Sequence, residues 1–162
     1  MKRIGIVSDT HIPKVAPRLP SRLLEELEGC DLILHAGDLV DLQVIRELEE
    51  VAPTVAVRGN MDGTEVARSL PGTKVVAVEG VRIGLAHGGG APLGIERRVM
   101  SLFSEVGVVV YGHTHQPKVE WKGEVLLVNP GTPTDLRFSS RLSYAVLEVE
   151  DGQVRAEIRY LD

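Results

Sequence analysis

The chain predicts an α/β fold in which two mixed β-sheets pack as a sandwich flanked by helices. Three observations carry that expectation. Apolar, strand-like runs alternate with amphipathic helical runs over the first sixty residues; short strands joined by Gly-containing turns dominate the remainder; and His, Asp and Asn repeatedly follow those runs directly. At 162 residues, 43% hydrophobic and 25% charged, the sequence suits one globular domain over residues 1–162, large enough to bury its core without disulfides.

The elements follow in order. Residues 3–8 form an apolar-rich strand, and residues 21–28 an amphipathic helix that starts at Pro20-Ser21 and stops at Gly29. A strand over 31–35, a helix over 42–50 that Asp41 introduces, and a strand over 54–57 complete a βαβαβ opening. Strands joined by helices pair in parallel, in a sheet covered on both faces. The pattern then changes. Residues 74–78 and 81–86 flank Glu79-Gly80 as a hairpin, and residues 95–103 read as a third helix. Further strands are expected over 106–111, 118–121, 124–128, 142–150 and 154–160, with turns at Lys122-Gly123 and Asp151-Gly152. Leu23, Leu24 and Leu27, and likewise Leu42, Ile45 and Leu48, are helical stripes that belong in the core.

Charge and cysteine content narrow the functions. A net charge of −5 without a basic arm gives no strong signature for nucleic acid or an anionic membrane surface. No apolar run has the length of a membrane span. The N-terminus runs straight into a strand, without the apolar stretch and cleavage site of a secretory signal. Cys30, the single cysteine, cannot make an intramolecular disulfide and reads as a buried thiol, which fits a cytoplasmic location.

The motifs point to a metal centre. All five histidines lie in short polar segments after apolar runs: Asp9-Thr10-His11, His35-Ala36-Gly37-Asp38, His87-Gly88 and His113-Thr114-His115. Gly59-Asn60-Met61-Asp62 follows another such run, and Asn129-Pro130-Gly131-Thr132 a sixth. In open α/β sheets, functional groups gather beyond the carboxyl ends of strands, so these segments should face one site. Outer side chains two apart in Asp9-x-His11 and His113-x-His115 share a face in extended chain. Each motif alone is ordinary turn or hydrogen-bond chemistry. Together they supply imidazole, carboxylate and amide donors in a number that suits two divalent transition ions better than one.

That ordered set, Asp-x-His, Gly-Asp, Gly-Asn, His-Gly, Gly-His-x-His, resembles the calcineurin-like metallophosphoesterase superfamily, and within it the small single-domain YfcE-like phosphodiesterase branch. The resemblance runs from Asp9 to Thr132. It implies that Asp9, His11 and His115 hold one ion, that Asn60, His87 and His113 hold a second, and that Asp38 bridges them, with His35 supporting from behind. The implied activity is hydrolysis of a small phosphodiester by a hydroxide shared between two ions about 4 Å apart. Manganese stands first among the expected ions, with Fe, Zn, Ni and Co as alternatives. Asp38, Asn60, His11 and Asp62 are the expected catalytic group, Asp62 by orienting Asn60 or His87 or, equally, by capping the next segment as a turn residue.

One departure bears on chemistry. Many phosphomonoesterases of the superfamily carry His where Met61 stands, and Met cannot protonate a leaving oxygen, which leaves His11 or a metal-bound water for that task. Gly88-Gly89-Gly90 reads as a flexible loop; Leu93 breaks the Gly-x-Gly-x-x-Gly pattern of a dinucleotide site. Arg58 and Arg137 are candidate phosphate clamps or, preferably, surface residues. Two rival functions remain: a non-catalytic interaction scaffold on the same fold, as the retromer subunit uses it, and a nucleotidase or nuclease of the same chemistry. Intact ligand motifs favour an enzyme, and 4% aromatic content gives little platform for bases. A homodimer or homotetramer is compatible with this sequence.

Overall fold

A computed structural model of the chain describes residues 1–161. Its elements, in chain order, are β1 (Lys2–Val7), α1 (Ser21–Glu26), β2 (Leu32–His35), α2 (Gln43–Glu49), β3 (Thr54–Ala56), α3 (Thr64–Ser69), β4 (Thr73–Val78) and β5 (Val81–Ala86). There follow α4 (Ile95–Met100), β6 (Val108–Val110), β7 (Lys118–Lys122), β8 (Val125–Asn129), β9 (Ser143–Glu150) and β10 (Gln153–Tyr160).

The strands form two five-stranded sheets, ordered β10-β9-β1-β2-β3 and β4-β5-β6-β8-β7. The expected architecture of two mixed sheets flanked by helices is what the chain adopts. In the first sheet β1, β2 and β3 run parallel, as the helical crossovers demanded, and β9 and β10 add antiparallel. In the second, β5, β6 and β8 run parallel, with β4 and β7 antiparallel at the edges.

Alternation along the strands builds the layers. Ile4 and Ile6 of β1, Leu34 of β2, Ile83 and Leu85 of β5 and Val108 and Val110 of β6 point between the sheets into one buried cluster. The opposite face of the first sheet, including Ile33 and Val146, packs against Leu23, Leu27, Val44 and Leu48 of the helical segments. Ile95 and Val99 of α4 cover Val109, Tyr111 and Leu127 on the outside of the second sheet. The helices are held by this apolar packing; each is too short to persist alone.

The helices end earlier than their sequence patterns suggested, because the last turns of α1, α2 and α4 close as isolated turns at Leu27, Glu50 and Ser101. Gln43 N–H donates to Asp41 Oδ1 at 2.9 Å, so Asp41 introduces α2 as expected. Helix α3 was not anticipated: it buries only Val66 and offers no apolar stripe to read. The parallel strands β1, β2, β3, β5, β6 and β8 deliver their carboxyl ends, and with them the polar motifs, to the candidate site.

Candidate metal centre

Asp9, His11, Asp38, His87 and His115 converge in a buried cluster with exposures of 0 to 5%. One oxygen, Asp9 Oδ1, lies 3.4 Å from His115 Nε2, 3.7 Å from His87 Nε2 and 3.8 Å from His11 Nε2. Asp38 Oδ2 stands 3.0 Å from His87 Nε2 and 3.8 Å from His11 Nε2. Two overlapping sets each bring their donor atoms within 4.8 Å of one another: Asp9, His11 and His115, and Asp9, Asp38 and His87.

The backbone is bent to make this cluster. Asp9, His11, Asp38, His113 and His115 all have positive φ, between 45° and 75°, a region that costs a non-glycine residue about 1–3 kcal/mol. Strain of that kind at so many neighbouring polar residues is retained where it aims side chains. Hydrogen bonds hold the strained turns in place. Thr132 Oγ1 donates to Asp9 O and Thr134 Oγ1 to Thr10 O, at 2.9 and 2.7 Å. Ser8 Oγ and His113 N–H donate to Asp9 Oδ2, leaving Oδ1 to face the imidazoles.

The donor set fits divalent ions by what it leaves unsatisfied. Asp9 Oδ1, both ring nitrogens of His11, His87 Nε2 and His115 Nδ1 are buried without a hydrogen-bond partner. Buried polar atoms are normally paired; among these, Asp9 Oδ1, His11 Nε2 and His87 Nε2 face one another, and coordination by a cation would satisfy them. The ring orientation agrees: His87 Nδ1 lies 2.9 Å from Ala36 O, which can only accept, so Nδ1 donates and Nε2, turned toward Asp38, is the nitrogen that can give up its proton to an ion. Against the opposing effect of burial, Asp38 and Asp9 push the metal-free His87 ring up to about 9. Likewise against burial, the imidazoles of His11, His115 and His87 hold Asp9 well below the usual carboxylate range.

Asn60 and His113 sit at the mouth of the cluster, with Asn60 Oδ1 3.3 Å from His113 Nδ1. The His87 and His113 rings are 5.4 Å apart, centre to centre. His87 Nε2 lies closer to Asp38 Oδ2, at 3.0 Å, than to Asp9 Oδ1, at 3.7 Å, so the imidazoles meet across the two carboxylates.

His35 is fully buried behind the cluster, accepting from Gly37 N–H at Nδ1 and meeting Thr10 Oγ1 through Nε2. Burial holds its ring down to about 4, so it is neutral. Asp62 does not reach Asn60 or His87 through a hydrogen bond. Its carboxylate accepts from the N–H groups of Gly59, Asp38 and Val40 at 2.8, 3.0 and 2.6 Å, and thereby staples the Asp38 turn to the Asn60 turn. Met61 N–H in turn donates to Asp38 Oδ1 at 2.7 Å. Gly59 makes this junction possible, since a Cβ there would lie 2.5 Å from Asp38 N.

Three features escaped the sequence. Asp135, 1% exposed, places Oδ2 3.7 Å from His115 Nδ1 and is gripped through both oxygens by Arg137. Despite burial, that guanidinium holds the Asp135 carboxyl below its ordinary range. Arg98 ties down the glycine-rich loop by donating to Gly89 O and Leu93 O. Phe138 stands edge-on to His115, 5.5 Å between ring centres. The turn at Asn129 is held by its own side chain: Nδ2 donates to Gly112 O and Thr114 Oγ1, and Oδ1 accepts from Gly131 N–H. Arg58 donates to Leu70 O and lines a neighbouring cavity.

Over the centre lies a cavity of about 440 Å³ lined by Met61, Pro92, Thr114, Arg137 and Phe138 together with His11, Asp38, Asn60, His113 and His115. It can admit a small anionic ester whose charged group faces the cluster and whose substituent lies on the apolar wall.

Comparison with known proteins agrees with this picture. Residues 1–152 match the model of the calcineurin-like phosphoesterase superfamily domain. A probable metallophosphoesterase of Methanothermobacter thermautotrophicus is 39% identical over 160 residues, covering 96% of this chain and 90% of the relative. The phosphodiesterase YfcE of Escherichia coli is 34% identical over 113 residues, covering 65% of this chain and 59% of that protein. Among solved structures, an archaeal phosphodiesterase superposes with a TM-score of 0.73 at 27% identity, covering 97% of this chain and 99% of the other. Vps29 of Chaetomium thermophilum, at 20% identity, has the same fold, with a TM-score of 0.78 over 99% of this chain and 97% of its own.

Proposed function

The chain belongs to the calcineurin-like phosphoesterase superfamily, and on that footing we propose that it is a phosphodiesterase working with two divalent metal ions, manganese first among Mn, Fe, Zn, Ni and Co. Asp9, His11 and His115 would hold one ion, Asn60, His87 and His113 the other, and Asp38 would reach both. The observation that carries this reading is the set of buried, unpartnered donor atoms Asp9 Oδ1, His11 Nε2 and His87 Nε2, with His115 Nε2 3.4 Å from the same Asp9 oxygen. Bound divalent ions supply Lewis acidity toward phosphoryl oxygens and a nucleophile drawn from water at neutral pH.

The chain's own residues do the rest. Only Asp9 and Asp38 among these ligands are carboxylates, so two divalent charges would exceed the ligand charge and leave an attractive field for a phosphate. Asp62 keeps Asp38 and Asn60 in register through the backbone. Arg137, paired with Asp135, still projects into the cavity beside the anion's path. Met61 offers no proton, and the imidazoles that line the same cavity, His11, His113 and His115, would be taken up as metal ligands. Esters whose leaving group departs without a proton are therefore favoured, and Met61, Pro92 and Phe138 offer such a group an apolar wall. A cytoplasmic location is consistent with the buried free thiol of Cys30.

Hydrolysis of a bis-aryl phosphodiester by chelator-stripped protein, before and after Mn²⁺ is restored, tests the reading, with the matching monoester and Asp38→Ala alongside. Metal-dependent diester cleavage lost in the variant is expected. Inactivity with every divalent ion would transfer the assignment to an interaction scaffold.

A further inference from the structure

The loop that follows β5 bears on the metal centre in a way that its sequence does not advertise. His113 Nε2 lies 2.9 Å from Gly90 O. A carbonyl oxygen only accepts, so Nε2 is the protonated nitrogen, and in the neutral ring Nδ1 then carries the lone pair. That lone pair faces Asn60 Oδ1 at 3.3 Å. Two acceptors so close repel unless a proton or a cation lies between them, and an imidazole nitrogen with an amide oxygen is a suitable pair for a divalent transition ion.

The position of Gly90 therefore decides whether His113 presents a donor atom, and Gly90 sits in a loop with little to hold it. Gly88, Gly90 and Gly94 all adopt positive φ, of 91°, 76° and 82°. Such a stretch is permissive unless something fixes it. Arg98 supplies the fixing. Its Nη2 donates to Gly89 O at 2.7 Å and also to Ala91 O, the carbonyls on either side of Gly90, while Nη1 donates to Leu93 O at 3.1 Å. Arg98 is itself placed by α4, which is anchored through buried Ile95 and Val99 and through the 2.8 Å ion pair of Glu96 with Lys118.

We propose that Arg98 is a positioning residue for the second ion: by forking across Gly89 and Ala91 it sets Gly90 O to lock His113 in the Nε2–H tautomer, with Nδ1 free beside Asn60. The inference rests on the two-ion reading above. Arginine is needed because a planar guanidinium spans several carbonyls at once, which an ammonium does not.

The test is a calorimetric Mn²⁺ titration of the chelator-stripped chain, paired with ¹⁵N NMR of the His113 ring in the metal-free protein. Wild type should bind two ions and show a single Nε2–H tautomer. Arg98→Ala should keep the first ion at wild-type affinity, weaken the second by about 10- to 100-fold, the range for partners that orient a ligand, and show mixed His113 tautomers. Arg98→Lys should do the same to a lesser degree, and it carries the test should the alanine variant fail to fold. Arg97→Ala, on the same helix, should change neither readout. Two ions bound at wild-type affinity with an unchanged tautomer in both Arg98 variants would overturn the proposal. Wild type binding fewer than two ions would instead defeat the two-ion reading, while the tautomer comparison would still decide whether Arg98 sets His113.

Discussion

Gly59→Ala is a small substitution that should disable the centre. The added Cβ would stand 2.5 Å from Asp38 N and 2.9 Å from Asp38 Cγ. Asp38 N is backbone and cannot swing aside as a side chain can, so the Asp38 and Asn60 turns must part by about 0.5 Å even to reach a tight 3.0 Å contact. They cannot part freely. A single oxygen, Asp62 Oδ2, accepts from Gly59 N–H and Asp38 N–H at 2.8 and 3.0 Å, and Met61 N–H is bonded to Asp38 Oδ1. Functional constellations tolerate displacements of about 0.5 Å, so the shift consumes that tolerance at Asp38, the residue proposed to bridge the ions. We expect a stability loss of about 1–3 kcal/mol from overpacking and Mn²⁺ affinity lower by about 10- to 100-fold. Urea denaturation and calorimetric titration measure the two effects. Gly63→Ala is the matched control, because a Cβ at Gly63 meets nothing within 4 Å. A Gly59→Ala protein that folds, binds two ions at wild-type affinity and cleaves diester at the wild-type rate would refute the reasoning.

Four further outcomes are expected. With metal-free His87 raised to about 9 by Asp38 and Asp9 against the effect of burial, an ion entering at pH 7 must displace a proton, so Mn²⁺ affinity should rise with pH up to about 9. Calorimetry in buffers of different ionisation heat would detect the released proton. In the metal-free protein this ion pairing contributes stability that is fully present below pH 6.5 and lost as pH rises through about 9. His35 has the opposite sign: burial depresses it from 6.5 to about 4, so on the order of 3 kcal/mol of stability should be lost as pH falls through that window. The loss should flatten in His35→Gln when both proteins are melted in denaturant across pH. Met61→His should restore an acid at the cavity wall, raising hydrolysis of alkyl esters about 10²-fold while changing activated aryl esters little. Steady-state kinetics on matched ester pairs would show whether it does.

How much of this was legible beforehand depends on where the information lies. Strand exits were readable because apolar runs and the polar residues ending them are adjacent in sequence, and Asp9, Asp38, Asn60, His87 and His113 indeed come from successive strands of the two sheets. The sandwich itself followed from the change of pattern near residue 74. Asp135 was not readable, since it lies in a strandless loop and gains its meaning only by meeting His115. Arg98 was equally silent: next to Arg97 on one helix, it differs only in facing the glycine loop. Asp62 was expected to orient Asn60 or His87 or, equally, to serve as a turn residue; its partners are backbone N–H groups, and which ones a motif of side chains cannot reveal. The Ala36 carbonyl that fixes the His87 tautomer is invisible for the same reason.

Anomalous diffraction from a crystal grown with Mn²⁺ measures directly whether this chain holds two ions at one centre. Two manganese peaks are expected, one within reach of Asp9, His11 and His115 and one within reach of Asn60, His87 and His113, with Asp38 between them. A single peak, or none, at full Mn²⁺ saturation would contradict the two-ion reading.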